Sequence, residues 1–74
     1  MKNYIKLNKQ QVGMRIWELI HSSEMTVEKV SEFLCLSTPR VIYDWMRGEK
    51  IPTLERAYNL AILFNTTIED IFFE

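Results

Sequence analysis

The chain has 74 residues, of which 47% are hydrophobic and 26% are charged, and its formal net charge is −1. This length fits one small globular domain, and the near-neutral charge argues against a strongly basic nucleic-acid binder. The single cysteine, Cys35, excludes an internal disulfide, and no apolar stretch reaches the roughly 18 residues that a membrane span needs.

Two helices are predicted in the N-terminal half from their caps. The first begins after Asn8, with Gln11 three positions later as in a capping box. Its buried face is expected to contain Val12, Ile16, Leu19 and Ile20. The second begins after the N-cap Thr26 and ends near Leu34. Cys35 then stands where a positive φ is often required, which costs a residue other than glycine about 1 kcal/mol, so we expect a strained backbone and a part-buried thiol there.

The third helix is predicted to begin near Thr38 and Pro39. Proline fits the first helical position, and the residue before it is pushed out of the helical region, as an N-cap requires. Thr38 is therefore the first choice for the cap and Ser37 the second. Gly48 should end this helix. Its buried face is expected to contain Val41, Ile42 and Trp45.

Two more helices follow, capped by Thr53 and Thr67, and Asn65 should end the first of them. The apolar stripe of this fourth helix is predicted to contain Leu54, Ala57, Leu60, Ala61 and Phe64. Ile68 and Ile71 of the fifth helix should point to the core. The fold class expected from these elements is all-α, a compact five-helix domain over residues 8–74 preceded by an N-terminal arm over residues 1–7.

Several segments together carry a family resemblance. They are Gly13-x-Arg15-Ile16-x-x-Leu19, Thr26-x-x-x-Val30-Ser31-x-x-Leu34-x-Leu36-Ser37, Ile42-x-x-Trp45-x-Arg47-Gly48, Pro52-Thr53-Leu54 and Ala61-x-x-Phe64-Asn65-x-Thr67-x-x-Asp70-Ile71. In this order and with these gaps they resemble the helix-turn-helix domain of the phage-repressor-like (Xre/Cro) family over about residues 8–73. The resemblance implies a lambda-repressor-like fold and a cytoplasmic, sequence-specific transcriptional regulator that binds double-stranded DNA.

The resemblance implies a recognition helix at about residues 38–47 that enters the major groove with its N-terminal turn foremost. Arg40 lies opposite the apolar face, and arginine can read guanine through two hydrogen bonds. Asp44 and Val27 depart from the family pattern, where a basic residue and a glutamine are common. The DNA-binding residues predicted in this way are Thr26, Val27, Lys29, Thr38, Pro39, Arg40, Tyr43, Asp44, Arg47 and Lys50.

Other interpretations of these residues stay open. Tyr43 is either a groove contact or a half-buried structural phenol. Arg47 and Lys50 either contact phosphates or pair with Glu49 or a helix C-terminus. An alternative function is a protein-interaction module that kept the helix-turn-helix fold but lost DNA binding. No nucleophile–base pair, metal-ligand spacing or phosphate-binding loop is present, so we expect no enzyme, no metal, no cofactor and no small-molecule ligand.

A homodimer is predicted from the two ends of the chain. Ile71-Phe72-Phe73 places two aromatics at consecutive positions, and one short helix cannot bury both against a single small core. The Tyr4-Ile5-x-Leu7 stretch lacks a helical period and fits an extended arm across a partner. A two-fold dimer would present two recognition helices roughly 34 Å apart to a near-palindromic site.

Overall fold

Five α-helices and no strand make up the residues that the computed structural model describes, which are Tyr4 and residues 6–73. The helices are α1 (Lys9–Ser22), α2 (Val27–Phe33), α3 (Arg40–Met46), α4 (Leu54–Leu63) and α5 (Ile68–Phe72). None of these described helices is both long and apolar enough to span a bilayer. The prediction of an all-α, five-helix domain is confirmed.

Four helices begin at the predicted caps. Asn8 Oδ1 accepts hydrogen bonds from two backbone N–H groups of the first turn of α1, both at 3.1 Å. The hydroxyls of Thr26, Thr53 and Thr67 each accept the N–H three residues further on, at 3.1, 3.4 and 3.1 Å. Each such cap is worth about 1 kcal/mol, because it satisfies an N–H that has no partner within the helix.

The start of α3 differs from the prediction. Pro39 occupies the N-cap position and makes no side-chain cap, and its ψ of 2° is outside the helical range. The helix therefore begins at Arg40. Thr38 still acts as expected in one respect, because its hydroxyl accepts the Arg40 N–H at 3.3 Å.

Left-handed residues follow four of the helices. Glu24 follows α1 with a φ of 63°. Cys35, Gly48 and Asn65 follow α2, α3 and α4 with φ of 59°, 76° and 54° and form turns of one type. In each of the turns after α2, α3 and α4 the next residue donates its N–H to the carbonyl five residues earlier, at 3.0, 3.0 and 2.9 Å, which satisfies a carbonyl at the helix end. The predicted strain at Cys35 is confirmed, but the part-buried thiol is wrong, since Cys35 is exposed.

The core is built from the inward faces of all five helices. Its most completely buried large side chains are Val12, Ile16, Ile20, Val30, Ile42, Trp45, Leu60 and Ile71. One predicted core residue is wrong, because Leu54 is 77% exposed. The buried face of α4 is centred on Ala57 and Leu60, and Leu54 lies to one side of it, in line with Tyr58 and Ile62 at four-residue steps.

Close packing of α1 on α3 fixes the position of α3. A Cβ added at Gly13 would stand 2.2 Å from the Trp45 carbonyl oxygen and 3.0 Å from that of Met46. Only glycine permits this approach, in which α1 touches the backbone at the C-terminal end of α3. On another side of α1, the Arg15 Nε donates to the Asp70 carbonyl of α5 at 3.0 Å.

The predicted N-terminal arm is only partly described. Tyr4 is exposed, whereas Leu7 is half-buried and lines an apolar groove of its own domain. The groove is also lined by Ile51, Pro52, Leu54, Ala57, Ile68, Phe72 and Phe73. Ile5, which the arm prediction included, lies outside the described residues.

Candidate nucleic-acid interface

The two faces of α3 have opposite characters. Ile42 and Trp45 are 0% and 1% exposed, and they anchor the helix in the core. Arg40, Tyr43 and Arg47 follow at spacings of three and four residues on the other side and are exposed. Tyr43 is 41% exposed, so its phenol is accessible from solvent. The outward face of α3 therefore carries two guanidinium groups with an aromatic ring between them.

At the N-terminal end of α3, Arg40 is free to meet a partner. Its side chain forms no salt bridge or hydrogen bond with any of residues 6–73 or with Tyr4. The preceding Thr38 is exposed and Pro39 is half-buried. A guanidinium in this state keeps all five N–H donors available for base edges or phosphates.

At the C-terminal end of α3, the cations are already paired. The Arg47 Nη2 donates to Asp44 Oδ1, and the Lys50 Nζ stands 3.9 Å from Asp44 Oδ2. The Arg47 Nε donates to Glu49 Oε2 at 3.2 Å, and Nη2 also reaches Glu49 Oε1 at 3.4 Å. We call these four residues the Asp44 cluster. Two carboxylates and two cations leave it with no net charge.

Exposure differs strongly between the two carboxylates of the Asp44 cluster. The Asp44 side chain is 14% exposed, whereas that of Glu49 is 59% exposed. The hydrogen bond to Glu49 raises the pKa of Arg47, and the same bond lowers the pKa of Glu49. Both groups therefore stay charged across the neutral pH range. Asp44 faces Arg47 and Lys50 rather than solvent, which makes it a support for these cations.

The first turn of α2 contributes a further part of the candidate interface. The Thr26 hydroxyl is occupied by the Lys29 N–H, and Lys29 itself is exposed without a salt bridge to the described part of the chain. Val27 was predicted to contact DNA, but its side chain is 9% exposed and belongs to the core cluster. Because this side chain is buried, a contact of Val27 with DNA would have to come from its backbone N–H, and that contact stays a prediction.

Two features were missed from the sequence. Glu49 was considered as a pairing partner of Arg47 but not as a site residue, although its position two residues after Arg47, past the turn at Gly48, brings it back to the guanidinium. The second is an exposed apolar row on α4, which we call the α4 row. It contains Leu54, Tyr58 and Ile62, which are 77%, 59% and 54% exposed. The signal for it was the regular four-residue spacing.

Comparisons with known proteins agree with this fold. A family model described as helix-turn-helix matches residues 22–71. The crystal structure of the restriction-modification controller protein C.AhdI from Aeromonas hydrophila is similar with a TM-score of 0.75 and 19% identity, over 85% of this chain and 94% of that one. No curated protein sequence matches.

A crystal structure of a transcriptional regulator from Listeria innocua is also similar. Its TM-score is 0.80 at 21% identity, over 95% of this chain. The present chain spans 62% of that protein, so the regulator has a further portion with no counterpart here. At these identities both likenesses concern the fold.

Proposed function

This chain belongs to the Xre-like helix-turn-helix family, and we propose that it is a transcriptional regulator that binds double-stranded DNA in a sequence-specific manner. The observation that carries the proposal is Arg40. It is exposed at the first turn of α3, has no partner in the described residues, and lies opposite the buried Ile42 and Trp45. An arginine in such a position can form two hydrogen bonds to guanine O6 and N7.

In the proposed complex, α3 lies in the major groove with Arg40 foremost. Tyr43 lies one turn further along the same face, where its hydroxyl donates to a phosphate or its ring packs on a sugar. Lys29 at the start of α2 meets the phosphate backbone beside the groove. Arg47 and Lys50 face the phosphate backbone on the other side of the groove. They approach it as members of the Asp44 cluster, in which both are already paired.

The experiment that tests this proposal is selection from a random-sequence duplex pool, followed by a salt titration on the selected duplex. A regulator of this kind enriches a defined sequence, and log K falls with log salt concentration with a slope of roughly −0.9 per neutralised phosphate. With few unpaired cations, the expected slope corresponds to a small number of phosphates. A pool that yields no enriched sequence, with no binding at low salt, would overturn the proposal.

One observation favours the alternative of a protein-interaction module. The Asp44 cluster neutralises two of the four cations expected at the interface, and the Val27 side chain is withdrawn into the core. DNA binding is the stronger proposal, because the helix-turn-helix family match is joined by an exposed Arg40 on the outward face of α3. The failed selection described above would support the interaction module.

We further propose that the regulator binds as a homodimer through the face formed by the α4 row and Phe73. Three large apolar side chains in line are exposed on α4, and Phe73, which is 52% exposed, lines the apolar groove together with Leu54 at one end of this row. A patch of this kind on a small domain marks an interaction site, and two-fold pairing would bury it against its own copy. The predicted pair of aromatics contributes less than expected, because Phe72 packs against the core.

Light scattering tests the dimer. The expected particle has twice the chain mass of 8.9 kDa at micromolar concentration. Tyr58→Ser, in the middle of the α4 row, should shift the mass to that of one chain. Met14→Ser is the matched control, since Met14 is 63% exposed on α1, away from this face. A wild-type particle of a single chain mass would reject the dimer and leave the DNA-binding proposal standing.

A further inference from the structure

Arg47 is held by Glu49 in the geometry with which arginine binds a phosphate. Two of its nitrogens donate to the two carboxylate oxygens of Glu49, Nε to Oε2 at 3.2 Å and Nη2 to Oε1 at 3.4 Å. This bidentate arrangement uses the same edge of the guanidinium that would donate to a phosphate. A DNA phosphate and Glu49 cannot both occupy it.

We infer that Glu49 competes with DNA phosphate for the Arg47 guanidinium and so weakens the sequence-independent part of DNA binding. The inference rests on the proposed DNA-binding function. Phosphate contacts carry no sequence information, whereas base contacts do. Withholding one phosphate contact therefore lowers affinity for all sequences alike and leaves Arg40 responsible for a larger share of the binding free energy.

The two carboxylates of the Asp44 cluster have different tasks in this scheme. Asp44 is 14% exposed and contacts both Arg47 and Lys50, so it stays in place and positions them when DNA arrives. Glu49 is 59% exposed on the loop after Gly48, so solvent and DNA reach it directly. Exposed ion pairs are weak, which makes Glu49 displaceable by a polyanion while still reducing its affinity.

A double-mutant cycle on Arg47 and Glu49 tests the inference with a random-sequence duplex as the probe. Binding is measured for the wild type, Glu49→Gln, Arg47→Gln and the double variant across a series of salt concentrations. Glu49→Gln should raise affinity about two- to five-fold and steepen the salt slope by up to roughly 0.9, the value for one more phosphate. In the Arg47→Gln background the same change should have little effect, because the competed group is gone.

Removing any negative charge near DNA raises affinity, so a matched control is needed. Glu28→Gln makes the same charge change on the first turn of α2, where Glu28 is exposed and has no salt bridge to the described residues. Its effect should be the same with and without Arg47. Only an effect that depends on Arg47 supports competition.

Two other results would overturn the inference alone. One is an affinity gain from Glu49→Gln that persists unchanged in the Arg47→Gln background, since that gain comes from charge only. The other is no gain at all in a wild type that binds DNA. Absence of DNA binding in the wild type and in every variant would instead remove the proposed function, and the inference with it.

Discussion

The two ends of α3 present two exposed arginines in opposite electrostatic states. Arg40 at the N-terminal end has no partner in the described chain, whereas Arg47 at the C-terminal end is shared between Asp44 and Glu49. Both point away from the core on the same side of the helix. The comparison teaches that exposure alone does not make a cation available. The residues two and three positions away decide whether its charge can reach another molecule.

The largest effect is expected from disrupting the packing of α1 against the C-terminal end of α3. Gly13→Ala places a Cβ 2.2 Å from the Trp45 carbonyl oxygen, and because that contact is with backbone, α1 and α3 must move apart. We expect a loss of about 3 kcal/mol of unfolding free energy, at the upper end for overpacking. Thermal unfolding followed by circular dichroism measures it.

Met14→Ala is the control for this prediction, since Met14 is the neighbouring residue and is 63% exposed. It should change the unfolding free energy by less than about 0.5 kcal/mol. Equal melting curves for Gly13→Ala and the wild type would contradict the close contact.

The next largest effect compares the two arginines directly in DNA binding. Arg40→Ala should cost about 1–3 kcal/mol on the selected duplex and change the sequence preference, because a base contact is lost. Arg47→Ala should cost less and weaken binding to selected and random duplexes equally, since Arg47 is already paired in the free protein. Fluorescence anisotropy with both duplexes gives the four affinities. Equal losses from Arg40→Ala on the two duplexes would contradict its role in reading bases.

A smaller effect is expected when the left-handed residues before and after α3 are substituted, and the two substitutions should change the unfolding free energy in opposite directions. Cys35→Gly should stabilise the domain by about 0.5 kcal/mol, because glycine adopts a positive φ freely but loses more entropy on folding. Gly48→Ala should destabilise it by more than about 1 kcal/mol, since its Cβ would also lie 3.0 Å from the Gln10 Cα. Urea unfolding measures both. A Cys35→Gly variant less stable than the wild type would show that this thiol contributes packing.

The smallest effect is expected from protonation of Glu49, which should remove the contribution of its ion pair to the unfolding free energy. Its pKa is lowered by the hydrogen bond from Arg47, so the folded protein holds the charged carboxylate more firmly than the unfolded chain does. The ion pair therefore stabilises the fold above the unfolded value of about 4.3 and stops doing so as the pH falls through the lowered pKa. Carboxyl-carbon NMR should show this pKa rising toward its ordinary value in Arg47→Gln. An unchanged pKa of Glu49 in Arg47→Gln would show that the two side chains do not interact in solution.

Most of the fold was predictable because its signals are local. The caps at Asn8, Thr26, Thr53 and Thr67 depend on a side chain and an N–H two or three residues away, and all four are confirmed. The same holds for the left-handed turn at Cys35, which follows from its place after α2.

Sequence patterns were less informative where tertiary packing sets the exposure or the partners of a side chain. Leu54 fits a helical stripe, but the direction in which α4 meets the core leaves it in solvent. Val27 is itself one of the predicted DNA-binding residues, and the closure of α2 onto the core buries its side chain. The pairing of Arg47 with Glu49 depends on the turn at Gly48, so the sequence left it open beside a phosphate contact and a contact with a helix C-terminus.

The direct backbone contact between Gly13 and the C-terminal end of α3 also limits how far α3 could change its orientation on different DNA sites in the proposed complex. No side chain lies between the two backbones, so no rotamer change can let α3 pivot on α1. In the proposed complex, a duplex whose groove is wider or narrower than α3 would have to deform to fit, at a free-energy cost set by its base steps. Base pairs that the protein never touches would then influence which sites it occupies.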